Sequence, residues 1–183
     1  MKTLIALSFL VAGLAIAGGP ATAGTDGFRV ITSATYTSIV GQVIPDGPAG
    51  GGSGPALLDT INVPIRSVVE GIEVYLDITM ANWTSDLIVR LTSPAGTTLG
   101  IAWIGEGGIP ETDIIGWFPV DFTPHDDLDL YVGEYTEGDW VLDCRDYSNG
   151  FVGTLNQWRL KVHYDDSVPA AAASFSRIMT LFR

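Results

Sequence analysis

Along most of the chain apolar side chains return at every second position. Ile61, Val63 and Ile65 form one such run, and Ile72, Val74, Leu76 and Ile78 form another against Glu73, Tyr75, Asp77 and Thr79. Leu87, Val89 and Leu91 alternate with Ile88, Arg90 and Thr92; Trp140, Leu142 and Cys144 line a further run; Leu155, Trp158, Leu160 and Val162 close the series. A period of two sets one face of a strand in the core and the other in water. Residues 24–43, rich in Thr, Ser and β-branched side chains, predict an N-terminal strand or two, and 97–104 predicts another. Gly and Pro punctuate the runs. Residues 44–55 read as a loop, Ser93-Pro94-Ala95-Gly96 and residues 146–153 as turns, and 105–124 as irregular. No window carries sustained helical periodicity. The pattern predicts an all-β fold: an antiparallel two-sheet, jelly-roll-like β-sandwich with Trp140 and Trp158 in its core.

Composition narrows the setting. Lys2, the uncharged run Leu4–Ala17 and the small-x-small triplet Ala21-Thr22-Ala23 read as an export signal over 1–23. The run is shorter than the ~20 residues of a spanning helix, and no later segment is long and apolar enough to span. The expected organisation is therefore a signal at 1–23, a strand or linker at 24–43, one sandwich domain at 44–164, and a linker with a short tail at 165–183. A formal charge of −12 argues against nucleic-acid phosphate and anionic lipid as partners, since both require a cationic face. Such a chain belongs outside the cell or on its surface, where acidic residues favour solubility and can collect Ca²⁺. Cys144, the single cysteine, excludes an internal disulfide and reads as a buried thiol.

Chemistry-bearing residues are sparse. A Ser/His/Asp hydrolase needs a histidine held between a nucleophile and a buried acid. Here His125 lies in a polar loop and His163 at an outward-facing strand position, and no nucleophile-elbow sequence is present. No catalytic residues are expected. Ca²⁺ is the one cofactor to weigh, as a structural ion on loop carboxylates, with Asp46, Asp113, Asp143 and Asp146 as the candidate set. Trp83, Trp103 and Trp117, at turns or strand ends, are the candidates for a ligand-binding face.

Two blocks add a family likeness. Asp77–Gly96 is similar to the pattern D-I-x-H-T-[WY]-x-G-D-L-x-[IV]-x-L-x-S-P-x-G-T, matched here by Asp77, Ile78, Trp83, Asp86, Leu87, Val89, Leu91, Ser93, Pro94, Gly96 and Thr97. Gly138, Trp140, Leu142, Asp146, Gly153, Thr154, Leu155, Trp158 and Leu160 follow the closing pattern of the same family. Ile44-Pro45-Asp46-Gly47, Gly107-Gly108 and Phe122-Thr123-Pro124 extend the match, while Met80 and Ala81 replace its His-Thr and Ser85 its turn glycine. Residues 44–164 thus resemble the P (Homo B) domain that follows the catalytic domain in kexin- and furin-like subtilisin proteases. The resemblance implies a secreted, non-catalytic accessory module that docks on and stabilises an extracellular protein, in the family a serine endopeptidase. A carbohydrate- or matrix-binding module is the competing expectation. Most matched residues read as architectural: Gly96 and Gly153 for positive φ, Pro94 for the turn, and Asp86 for accepting backbone N–H bonds across its loop.

Overall fold

The computed structural model describes residues 30–80, 86–103 and 113–166. They form eight strands and one short 3-10 helix: β1 (Ile31–Val43), β2 (Leu57–Val63), β3 (Val69–Met80), β4 (Leu87–Thr92), β5 (Thr98–Ala102), β6 (Ile114–Phe118), the helix Leu128–Tyr131, β7 (Gly138–Asp146) and β8 (Gly153–Asp165). One sheet has the order β1-β8-β3-β6 and the other β2-β7-β4-β5, with every pair antiparallel. Only β4 and β5 are consecutive strands within one sheet, so every other connection crosses from sheet to sheet. This eight-strand, two-sheet order is that of a jelly roll.

Alternation in the sequence becomes alternation in burial. β2 reads buried and exposed in strict turn from Leu57 to Val63, and β3 buries Ile72, Val74, Leu76 and Ile78 between the sheets. These meet Leu155, Trp158, Leu160 and Val162 of β8 and Leu142 and Cys144 of β7 in one continuous core. Burial on this scale stabilises by about 25 cal/mol per Å² of apolar surface removed from water. Large rings anchor both ends of that core, and each polar tip has a partner. Trp158 Nε1 donates to Asp59 at 2.8 Å, Trp140 Nε1 to the Thr136 carbonyl at 3.0 Å, and Tyr131 Oη to the Leu91 carbonyl at 2.6 Å.

Several elements depart from the sequence-based expectation. β1 pairs along β8 from Ile31 to Val43, so the sandwich takes in residues ahead of Ile44. The supposedly irregular stretch contains β6, where Ile114, Gly116 and Phe118 face inward against β3. A run of only five residues that includes Gly116 carries too little periodicity to be read alone. Ile88 is also buried, at 3% exposure, despite its outward position on β4. Gly153 does not have positive φ; a Cβ there would lie 2.5 Å from Met80 Sδ, so a side chain at this position would have to displace the end of Met80. Gly96 does take φ +94°, closing the turn with its N–H on the Ser93 carbonyl at 2.9 Å. The predicted signal, Trp83, Gly107-Gly108 and nearly all of the tail lie outside the described residues.

Candidate functional site

The glycine-rich loop at residues 44–54 lies directly along the β7–β8 connection. Ile44 N donates to the Gly153 carbonyl (2.8 Å), Gly47 N to Ser148 (3.1 Å), Gly52 N to Tyr147 (3.0 Å) and Gly54 N to Asp146 (2.7 Å). Only glycine allows this approach: a Cβ on Gly47 would meet Ser148 N at 2.6 Å, and one on Gly54 would meet the Asp146 carbonyl at 2.9 Å. Asp46 reinforces the contact, its Oδ1 accepting from Gly150 N at 3.0 Å and its Oδ2 from Asn149 Nδ2 at 3.1 Å. Asp146, the last residue of β7, is 1% exposed. Its Oδ1 accepts from Ser148 N at 2.9 Å, and its Oδ2 is buried without a partner. Asp86 immediately precedes β4, whose Leu87 pairs with Asp146. The Asp86 carbonyl accepts from Tyr147 N at 2.8 Å, yet its side-chain Oδ1 is again buried and unpartnered.

Electrostatics mark the same place. Burial pushes the Asp146 carboxyl above the usual range; the Ser148 N–H opposes this, while the charges of Asp86 and Asp46 add to it. Asp86 is raised chiefly by burial, against its own backbone N–H, with the Asp46 charge adding further. Other loop aspartates are occupied by backbone donors. Asp126 Oδ2 accepts from Gly100 N (2.7 Å), Asp121 Oδ2 from Trp117 N (2.8 Å) and Asp113 Oδ1 from Met80 N (2.9 Å). Asp143 instead grips Arg145 at 2.8 Å. Of the metal set expected from the sequence, the structure brings Asp46 and Asp146 together and leaves Asp113 and Asp143 elsewhere. Asp86 joins them through the β4–β7 register, which no local signal in the sequence announces.

The outer face of the β1-β8-β3-β6 sheet carries the other concentration of distinctive groups. Trp117 lies within β6, packed on Tyr75 with centroids 5.3 Å apart and a 58° tilt, and Arg159 stands 4.8 Å over the Tyr75 ring. Ile115 beside them is 55% exposed. Further along, Glu73 Oε1 accepts from Lys161 Nζ at 2.9 Å and meets His163 Nε2 at 2.7 Å. Burial raises the Glu73 carboxyl, but the Lys161 and His163 hydrogen bonds and charges outweigh it, and the net shift is downward. Asp77 accepts from Asn156 Nδ2 (2.8 Å) and Gln157 Nε2 (3.2 Å). Trp103 lies elsewhere, at the end of β5, stacked on His125 at 5.0 Å and 18°.

The remaining motif residues are structural in position. Ser93 Oγ accepts from Thr97 N across the turn at 3.3 Å, and Pro94 packs over Gly138, where a Cβ would come within 2.8 Å of it. Cys144 is completely buried, and burial pushes its thiol far above the usual range, so it packs as a neutral side chain. A groove of 420 Å³ near Pro119 and Leu128 is bordered by His125, Asp126 and Asp127. Among the described residues no helix is long and apolar enough to cross a membrane.

Comparison with known proteins follows this geometry. No curated protein matches the chain in sequence. Among solved structures, the serine protease of Aeromonas sobria is similar at 16% identity and a TM-score of 0.52, covering 75% of this chain and 28% of that one. The complex of that protease with its chaperone gives 16% identity and a TM-score of 0.51 with the same coverage. At this identity the likeness concerns the fold, and the chain spans little more than a quarter of the protease's length. The family described as "Proprotein convertase P-domain" matches residues 69–162, which run from the start of β3 into β8. That stretch is just over half of the chain and contains the Asp86 and Asp146 positions, and the chain belongs to the proprotein convertase P-domain family.

Proposed function

We propose that this chain is an exported, non-catalytic P-domain module that docks on and stabilises an extracellular protein, namely a subtilisin-like serine endopeptidase. Family membership over β3–β8 is the observation that carries the reading. The apolar N-terminal run ending in Ala21-Thr22-Ala23 and the charge of −12 support export. The docking face is the outer side of the β1-β8-β3-β6 sheet, where Trp117, Tyr75, Ile115 and Arg159 form an aromatic and cationic patch. Aromatic and Arg side chains dominate the binding energy of protein interfaces.

The carbohydrate-binding alternative calls for rings side by side in one plane. Tyr75 and Trp117 are tilted by 58°, and Trp103 is stacked on His125, so these three rings lend it no support.

Titration calorimetry of the purified chain against a subtilisin-like catalytic domain lacking its own P domain tests the proposal. Binding accompanied by a raised melting temperature of the protease is expected. Trp117→Ala should abolish it while leaving the melting curve of the module itself unchanged. Absence of heat and of any stabilisation, or full binding by Trp117→Ala, overturns the reading. The chain alone should cleave casein no faster than buffer; robust, inhibitor-sensitive cleavage would contradict the non-catalytic assignment.

A further inference from the structure

We infer that the outer edge of β1 is the contact along which two copies of this chain pair, antiparallel and about a two-fold axis at Thr35. The inference does not rest on the docking reading. A sheet edge offers a row of N–H and C=O groups, and proteins either shield such edges or pair them. The described strands leave four edges, β1, β6, β2 and β5, and three carry protection. Residues 125–126 cover β5: His125 N donates to the Ile101 carbonyl at 3.2 Å and Asp126 N to that of Gly100 at 2.9 Å. Residues 121–122 cover β6, their N–H groups reaching the Trp117 carbonyl at 2.7 and 3.2 Å. β2 is only seven residues long and stands between Pro55 and Pro64. β1 has none of these devices. It runs for 13 residues without Pro or a charged side chain, and among the described strands it pairs only with β8.

Backbone direction sets the register. Asp166 N donates to the Val30 carbonyl at 2.9 Å, which makes Val30 a hydrogen-bonded partner of the β8 side. In an antiparallel ladder that role alternates, so the even-numbered residues up to Ser38 turn their backbone groups to β8. Ile31, Ser33, Thr35, Thr37 and Ile39 turn theirs to the outer edge, over about 30 Å. The bulge between Ile39 and Gln42, with Gly41 at φ +61°, ends this regular stretch. Its midpoint is Thr35. Pairing there sets Thr35 against the partner's Thr35, Ser33 against the partner's Thr37, and Ile31 against the partner's Ile39. Each pair exchanges two hydrogen bonds.

The side chains suit a second copy of the same edge. All five lie on the outer face, since Ala34, Tyr36 and Ser38 between them are buried. Ile31 and Ile39 are 45% and 65% exposed, and the two-fold lays each against the other's copy, removing both from water. Between them fall Ser–Thr and Thr–Thr pairs, which are favourable neighbours across strands. Charge agrees with this. At a formal −12 two copies repel through most surfaces, yet β1 brings no carboxylate of its own to the contact. The first ionised side chains behind its centre are cations, Arg159 and Lys161 of β8, which pair with Thr37 and Thr35. An isologous contact closes after two copies, and the joined sheet then ends at two covered β6 edges. Trp117 lies on β6, at the far side of the sheet, so its patch stays open in the pair.

Sedimentation equilibrium of the purified chain tests the pairing, and a mass twice that of one chain is expected. Thr35→Lys sets two like charges together at the axis, on the outer face. It should weaken association by about tenfold or more and leave the circular dichroism spectrum unchanged. Leu58→Lys, at a 59% exposed position on the β2 edge, should leave association as it is. Cysteine substitutions read the register, because Cys144 is buried. Two Thr35 residues paired directly have Cα atoms about 5.5 Å apart, within disulfide reach. Thr37 and its own copy stand four residues apart along the strands, about 13 Å. Under oxidation Thr35→Cys should therefore give a covalent dimer and Thr37→Cys should not. A chain that sediments as a monomer up to its solubility limit overturns the proposal. So does a dimer that Thr35→Lys leaves intact, one that Leu58→Lys dissociates, or one that cross-links through Thr37→Cys as fast as through Thr35→Cys.

Discussion

The interior between the sheets and the loop-covered end beyond β7 both bury polar groups, but they treat them differently. In the interior the indole of Trp158 meets Asp59, that of Trp140 meets a carbonyl, and the Tyr131 hydroxyl meets another. At the loop end Asp86 and Asp146 each retain an oxygen that nothing satisfies. Unmade hydrogen bonds in a low-dielectric setting cost about 1–3 kcal/mol each, and more for charged groups. The interior is therefore complete by itself, while the loop end is close-packed but electrostatically unfinished.

Perturbing each region should separate the two. Trp158→Ala has the largest expected effect, about 3–5 kcal/mol of stability, because it opens a cavity and removes the indole donor to Asp59; chemical denaturation would measure it. Gly47→Ala strikes the loop end. Its new methyl group would overlap the backbone at Ser148 and Tyr147, which cannot swing aside as a flexible side chain can. A loss of about 1–3 kcal/mol is expected in chemical denaturation. Trp158→Phe keeps most of the ring but removes the donor to Asp59, costing about 1–2 kcal/mol.

The smallest effect lies outside both regions, at Glu73. Its carboxyl titrates below the ordinary value of 4.5 in the folded protein, so its contribution is fully present above that pH and is lost as pH falls through the lowered value. Melting temperatures recorded from pH 6 downward, in about half-unit steps, should fall more steeply for the wild type than for Glu73→Gln. Parallel curves would remove Glu73 from the acid response.

Much of the architecture was legible in the chain. Alternation at Ile61 and Val63 and over 72–78 states which side chains face inward, because a strand's geometry converts a period of two directly into two faces; the inward turn of Asp59 and the outward turn of Leu58 do not show in the hydropathy pattern. Trp140 and Trp158 could be placed in the core on size and period alone. β6 escaped notice because five residues containing a glycine carry almost no periodic signal. Gly153 could be singled out in the chain, but not its neighbour, since Met80 approaches it from 73 residues away. Among the acidic residues, Asp143 and Asp146 look equivalent in the text of the chain. Strand pleat points one toward Arg145 and sets the other into the loop end, beside two aspartates distant in sequence.

Local chain chemistry thus determined the strands, their buried faces and the places where the backbone turns, because side-chain alternation and glycine or proline conformations act over a few residues. Which strands became neighbours, and hence that the end of β7 carrying Asp146 lies beside Asp86 at the start of β4, was decided only by the two sheets closing on each other. Burial and electrostatic repulsion depend on distance in space, and in a jelly roll whose connections cross from sheet to sheet, that distance bears little relation to separation along the chain.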